Sequence, residues 1–254
     1  MKSKKGAVIL HWAVFGLLAA IGLFAWLTYD AELGVKVKGE WQLDYLRNFY
    51  IEGQEELMQT EQQALLVGNK IIFSLADNGG FTESSPCGVE EGVHYWNKVG
   101  SFCFLEVDEE IDQAFDKAYQ EKYNSDRRFA VSHQGKELVG EAAETEMISG
   151  PKMTYNYFPH FRANIGYNFD EYFQIQNDAK SVLDLCKWKP DLRECLEDTK
   201  PEYWKFTDCD AEMYRENERK VVFCSESPGR YTILQPDGSV VPVRYTFGLD
   251  FTTS

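Results

Sequence analysis

Six cysteines and four histidines are the side chains with the most chemistry to offer. Cys87, Cys103, Cys186, Cys195, Cys209 and Cys224 could bridge in pairs, ligate a metal or stay as thiols. There is no C-x-x-C, and no cysteine has a histidine at ligand spacing, so a zinc site is disfavoured and no metal or other cofactor is expected. An even number of cysteines, all placed after an apolar N-terminal run, points to disulfides. Sequential pairing (Cys87–Cys103, Cys186–Cys195 and Cys209–Cys224) would close three local loops and is one of several connectivities open to the chain. Each closure would stabilise by roughly 2–4 kcal/mol.

His94, His133 and His160 lie in no H-E-x-x-H or related spacing. Ser132 and His133 are sequence neighbours, and neighbours on a strand face opposite ways, so they form no dyad. The chain has no G-x-S-x-G, P-loop or G-x-G-x-x-G. Asp108, Glu109 and Glu110, and then Asp170 and Glu171, stand where helices begin, and capping accounts for them. No catalytic, cofactor-binding or metal-binding residue is assigned.

The elements that carry these residues have clear punctuation. Leu43, Leu46, Tyr50, Leu57, Ala64, Ile71 and Leu75 repeat with helical spacing from Trp41 onward, and Asn78-Gly79-Gly80 stops the helix. Val99–Val107 alternates as a strand, and Asp108 N-caps a helix with Ile111, Phe115, Ala118, Tyr119 and Tyr123 on its apolar face. Phe129–Ser132 and Glu137–Gly140 make a hairpin about Gln134-Gly135, and the aromatic-rich stretch Tyr155–Phe173 reads as a strand pair. Asp170 opens a helix with Tyr172, Ile175, Ala179, Val182 and Cys186 inward, and a short helix follows Lys189-Pro190-Asp191. Val241, Val243, Tyr245, Phe247, Leu249 and Phe251 alternate as a strand after the Pro236-Asp237-Gly238 turn, with Arg230–Gln235 as its partner.

Ala7–Thr28 carries no formally charged side chain apart from whatever His11 holds, and Lys2, Lys4 and Lys5 precede it. Such a run reads as a membrane span with its N-terminus in the cytoplasm. The expected organisation is a cytoplasmic tail over 1–6, a transmembrane helix over 7–28, a connector over 29–40 and an extracytoplasmic domain over 41–254. The fold class is α+β: the N-terminal transmembrane helix, then an antiparallel sheet with several packed helices. Residues 29–254 hold 23 basic and 41 acidic side chains, and so acidic a surface disfavours nucleic acid. The expected partners are the membrane and an envelope or cell-surface protein.

Lys4-Lys5-Gly6-Ala7 before the apolar run looks like a class III (prepilin-like) signal, which makes Gly6 and Ala7 a candidate processing site. Such precursors carry glutamate five residues past the cut, where this chain has His11. More broadly the chain resembles uncharacterised single-pass membrane-anchored surface proteins of small-genome archaea. The resemblance rests on Lys5-Gly6-Ala7 with His11-Trp12, Leu75 to Gly80, Cys87-Gly88 with Trp96-Asn97, and Phe223-Cys224. It implies a topology and no activity. The functional expectation is a membrane-anchored cell-surface binding or structural module, with a pilin-like subunit or a membrane-tethered hydrolase as alternatives.

Overall fold

The apolar run is helical over 14–29 (α1). Among the described residues no helix is long and apolar enough to cross a membrane, which corrects the transmembrane helix expected over 7–28. Residues 7–13 of that expected span lie outside the described residues, as do Gly6 and Ala7.

The computed structural model describes residues 14–29, 42–43, 45–99, 101–149, 154–205, 214–215, 219–234 and 239–252. It divides into two units, Met1–Glu55 with Ile148–Tyr155 and Glu56–Met147 with Asn156–Ser254. In the first, a π-helical turn, Leu46–Tyr50, leads into α2 (Ile51–Asp77). A Cβ on Gly53 would stand 2.9 Å from Cε1 of Tyr155, so glycine is what lets that ring lie against the helix. Tyr45 meets the same ring edge-on at 6.4 Å between centroids. The expected apolar face began too early, since Leu43 and Tyr50 are exposed.

In the second unit α2 buries Ala64, Val67, Ile71, Ile72 and Leu75. Its end is a Schellman motif: Gly80 N–H donates to Leu75 O at 2.6 Å and Gly79 N–H to Ala76 O at 3.3 Å. Gly79, at the position the motif needs left-handed, has φ +63°, and Gly80 after it is also positive at +92°. Two minimal hairpins follow, β1 (Val89–Glu90) with β2 (Val93–His94) and β3 (Asn97–Lys98) with β4 (Ser101–Phe102). The single strand expected over Val99–Val107 does not form. Cys103 is bonded to Cys87 and its N–H donates to Trp96 O, while Val107 already opens α3 (Val107–Tyr123).

The hairpin β5 (Phe129–Gln134) and β6 (Glu137–Ala142) turns at Gly135, with φ +62°. β7 (Glu146–Ser149) pairs with β8 (Thr154–Tyr157), and β9 (His160–Asn164) adds to β6, giving the antiparallel order β5-β6-β9. Residues 155–173 are therefore not a strand pair: β8 and β9 join different sheets, and Tyr172 lies in a helix. That helix is α4 (Glu171–Cys186), burying Tyr172, Ile175, Ala179, Val182 and Cys186 as its spacing foretold. Asp191 caps the short α5 (Leu192–Thr199), accepting from Glu194 N–H at 3.0 Å.

A second sheet contains β10 (Trp204–Lys205), β11 (Tyr214–Arg215), β12 (Lys220–Glu226) and the long C-terminal strand, with β10 and β11 on one side of β12. The hairpin β13 (Thr232–Leu234) and β14 (Val240–Pro242) precedes β15 (Arg244–Asp250), which pairs with β12 along its whole length. Tyr245, Phe247 and Leu249 are wholly buried, matching their period of two. Trp96 stacks on Phe247 at 3.8 Å, and its indole N–H donates to Gly79 O at 2.8 Å, joining the end of α2 to this sheet.

Candidate functional site

The acids at the starts of α3 and α4 do not cap through their side chains. α3 begins one residue before Asp108, and Glu106 ahead of it makes no side-chain cap bond; Asp170 makes none either. Asp108 instead belongs to a series with Asp112 and Asp116, four residues apart on one face of α3. Their Oδ1 atoms accept the backbone N–H groups of β5: Asp116 from Phe129 at 3.2 Å, Asp112 from Val131 at 2.7 Å and Asp108 from His133 at 3.2 Å. Four helical residues and two strand residues both advance by about 6 Å, so an antiparallel helix and strand can keep this match. The three donors point away from β6, so the ladder closes one edge of the sheet with charge-assisted hydrogen bonds. Burial raises the pKa of Asp116, the Phe129 N–H pulls it down, and the neighbouring Asp112 charge pushes it up.

The last rung continues through the His133 side chain. Nδ1 lies 2.8 Å from Asp108 Oδ1 and Nε2 lies 3.1 Å from Asp170 Oδ1, at the start of α4. The ring is mostly enclosed, at 10% exposure, while both carboxylates reach solvent. With both nitrogens engaged, neither is open to take a proton from a substrate, and the imidazole acts as a strut between two helices and a strand.

Glu171, next to Asp170, faces inward. Its carboxylate accepts from Ser227 Oγ at 2.8 and 3.0 Å, from Gly229 N–H at 2.5 Å and from Tyr245 Oη at 2.6 Å. The Tyr245 and Tyr167 hydroxyls lie 2.5 Å apart. Burial holds both phenols well above the ordinary tyrosine range; neighbouring groups add to that for Tyr245, while for Tyr167 the hydrogen bond with Tyr245 partly opposes it and the Glu171 and Tyr231 charges add to it. A buried carboxylate so fully satisfied ties the loop 227–231 to α4 and β15.

The remaining candidates are dispersed. His94 is buried beside Phe81 at 5.9 Å between centroids, and its Nδ1 accepts from Ser85 N–H at 3.3 Å. Burial lowers its pKa, and the Glu110 charge partly opposes that. His160 is exposed, with Nδ1 2.9 Å from Phe158 O. A surface cleft of about 760 Å³ lies between residues 125–128 and 142–146. Its guanidinium Arg127 is already bound to Glu146 and to Thr60 Oγ1. Among the described residues no group of three histidine, cysteine or acidic side chains could hold a metal ion.

Two of the expected disulfides are formed, Cys87–Cys103 and Cys186–Cys195, with Cα atoms 6.0 and 5.7 Å apart. Cys224 is also disulfide-bonded, and Cys209, its expected partner, lies outside the described residues. Reasoning from sequence brought out the cysteines but missed the ladder. The signal was Asp108, Asp112 and Asp116 at a strict interval of four, which by itself reads as a solvated helix face. No protein-family model, curated protein or solved structure matches this chain.

Proposed function

We propose that this chain is an extracytoplasmic binding or structural module of the cell envelope. The observation that carries the reading is the pair of disulfides, one pinning the short hairpins after α2 and the other clamping the α4–α5 corner. Such bonds persist in oxidising compartments and are rare in reducing ones. The polar side chains support a rigid scaffold: Asp108, Asp112, Asp116, His133 and Glu171 each hold one element to another. The test is an envelope-binding assay with labelled full-length protein and membranes from its own source. Saturable association that is lost after reduction and alkylation is the expected result. Linear, unsaturable uptake, or binding indifferent to reduction, overturns the reading.

A further inference from the structure

The sheet β5-β6-β9 has two edges, and the aspartates close only one. Beside β9, Ala142 N–H donates to Pro159 O at 2.8 Å and Ile165 N–H to Lys136 O at 3.1 Å. With Phe161 opposite Gly140 and Ala163 opposite Leu138, the odd-numbered residues turn their backbone groups toward β6. The N–H and C=O groups of His160, Arg162 and Asn164 therefore point outward, and among the described residues no hydrogen bond engages these N–H groups. Phe158, His160, Arg162 and Asn164 alternate onto the solvent face, and all four are exposed.

We propose that β9 receives an extended segment of a partner protein by strand addition, with a carboxylate opposite Arg162 and, four residues away on the same face, an apolar side chain opposite Phe158. Strand addition takes its affinity from outward backbone groups and its specificity from alternate side chains. Arg162 supplies the charge complementarity. Its side chain is 62% exposed, and its 3.3 Å pair with Glu137 is a surface contact worth little in water. A second copy of this chain paired two-fold about residue 162 would set Arg162 against itself, which disfavours that register. The proposal rests on the binding-module reading and gives it a mode of attachment.

The probes are two eight-residue peptides of alternating threonine and valine. One carries glutamate and phenylalanine four positions apart, and the other has lysine in place of the glutamate. Full-length protein is titrated with each while amide exchange is followed at His160, Arg162 and Asn164. The glutamate peptide binds saturably and protects those three amides, and the lysine peptide binds about threefold or more weakly. Arg162→Pro removes an outward donor and no bond to β6, and weakens binding by about tenfold. Arg162→Glu keeps the backbone and reverses the peptide preference, so it carries the test if the proline variant does not fold. Absence of saturable binding, binding without amide protection, or equal affinity for both peptides overturns the proposal, as does self-association of the chain through β9. Failure here with saturable envelope association intact would remove strand addition and leave the binding module standing.

Discussion

The two edges of the β5-β6-β9 sheet face the same problem and meet it differently. Each edge strand presents alternate N–H groups with no strand to receive them. On β5, three carboxylates of α3 accept from Phe129, Val131 and His133. On β9, the corresponding N–H groups of His160, Arg162 and Asn164 have no hydrogen-bond acceptor among the described residues, and their side chains are exposed. One edge is structural because its donors are committed; at the other, no described residue takes them up, and that is the edge proposed above to receive a partner strand.

Proline is the sharpest probe of this asymmetry, since it deletes one N–H at a time. Val131→Pro removes the donor to Asp112 and a buried side chain, and should cost about 3 kcal/mol or more in urea unfolding. Arg162→Pro should cost under about 1 kcal/mol, because the lost N–H faced water and edge strands tolerate proline. Equal costs would break the comparison. Between these extremes, Asp112→Ala leaves the Val131 N–H without its acceptor and should cost about 2 kcal/mol, while Asp112→Asn, which keeps an acceptor oxygen, should lose less. His133→Leu keeps the backbone rung and deletes both ring contacts. About 1–2 kcal/mol is expected, with hydrogen exchange rising at the start of α4 before the sheet opens.

The smallest effect is the most diagnostic of a half-buried carboxylate. The Asp116 pKa is raised above its ordinary value of 3.8. The folded state therefore holds its proton more tightly than the unfolded chain, and the contribution of this group to stability falls as pH rises from that value through the raised one. Relative to Asp116→Asn, the wild type should look best below this window and lose ground above it in paired denaturation curves. The opposite trend would mean that the Phe129 N–H outweighs burial.

The local parts of this architecture were legible in the sequence. Asn78-Gly79-Gly80 foretold the end of α2, the period of two foretold the inward face of β15, and Cys186 and Cys195 foretold their bond, because each depends on neighbours along the chain. What was misread depended on distant partners. The aromatic residues of 155–173 show strand character without saying which strand they join, and β8 and β9 went to different sheets. Asp108 and Asp170 satisfied every local rule for a cap, yet a histidine 25 and 37 residues away claimed them. The apolar run after Gly6 promised a span, yet among the described residues no helix is long and apolar enough to cross a membrane.

The ladder also behaves as a vernier. Four helical residues advance ~6.0 Å and two strand residues ~6.6 Å, so the two scales slip by roughly 0.6 Å per rung. Registry is best in the middle, at 2.7 Å for Asp112, and relaxes to 3.2 Å at both outer rungs. A fourth rung would fall further out of step. An edge sealed in this way sets its own length: a helix of this kind can guard about six strand residues, which is the length of β5. Lengthening the strand by two residues would leave an unguarded end, however many aspartates were added to the helix.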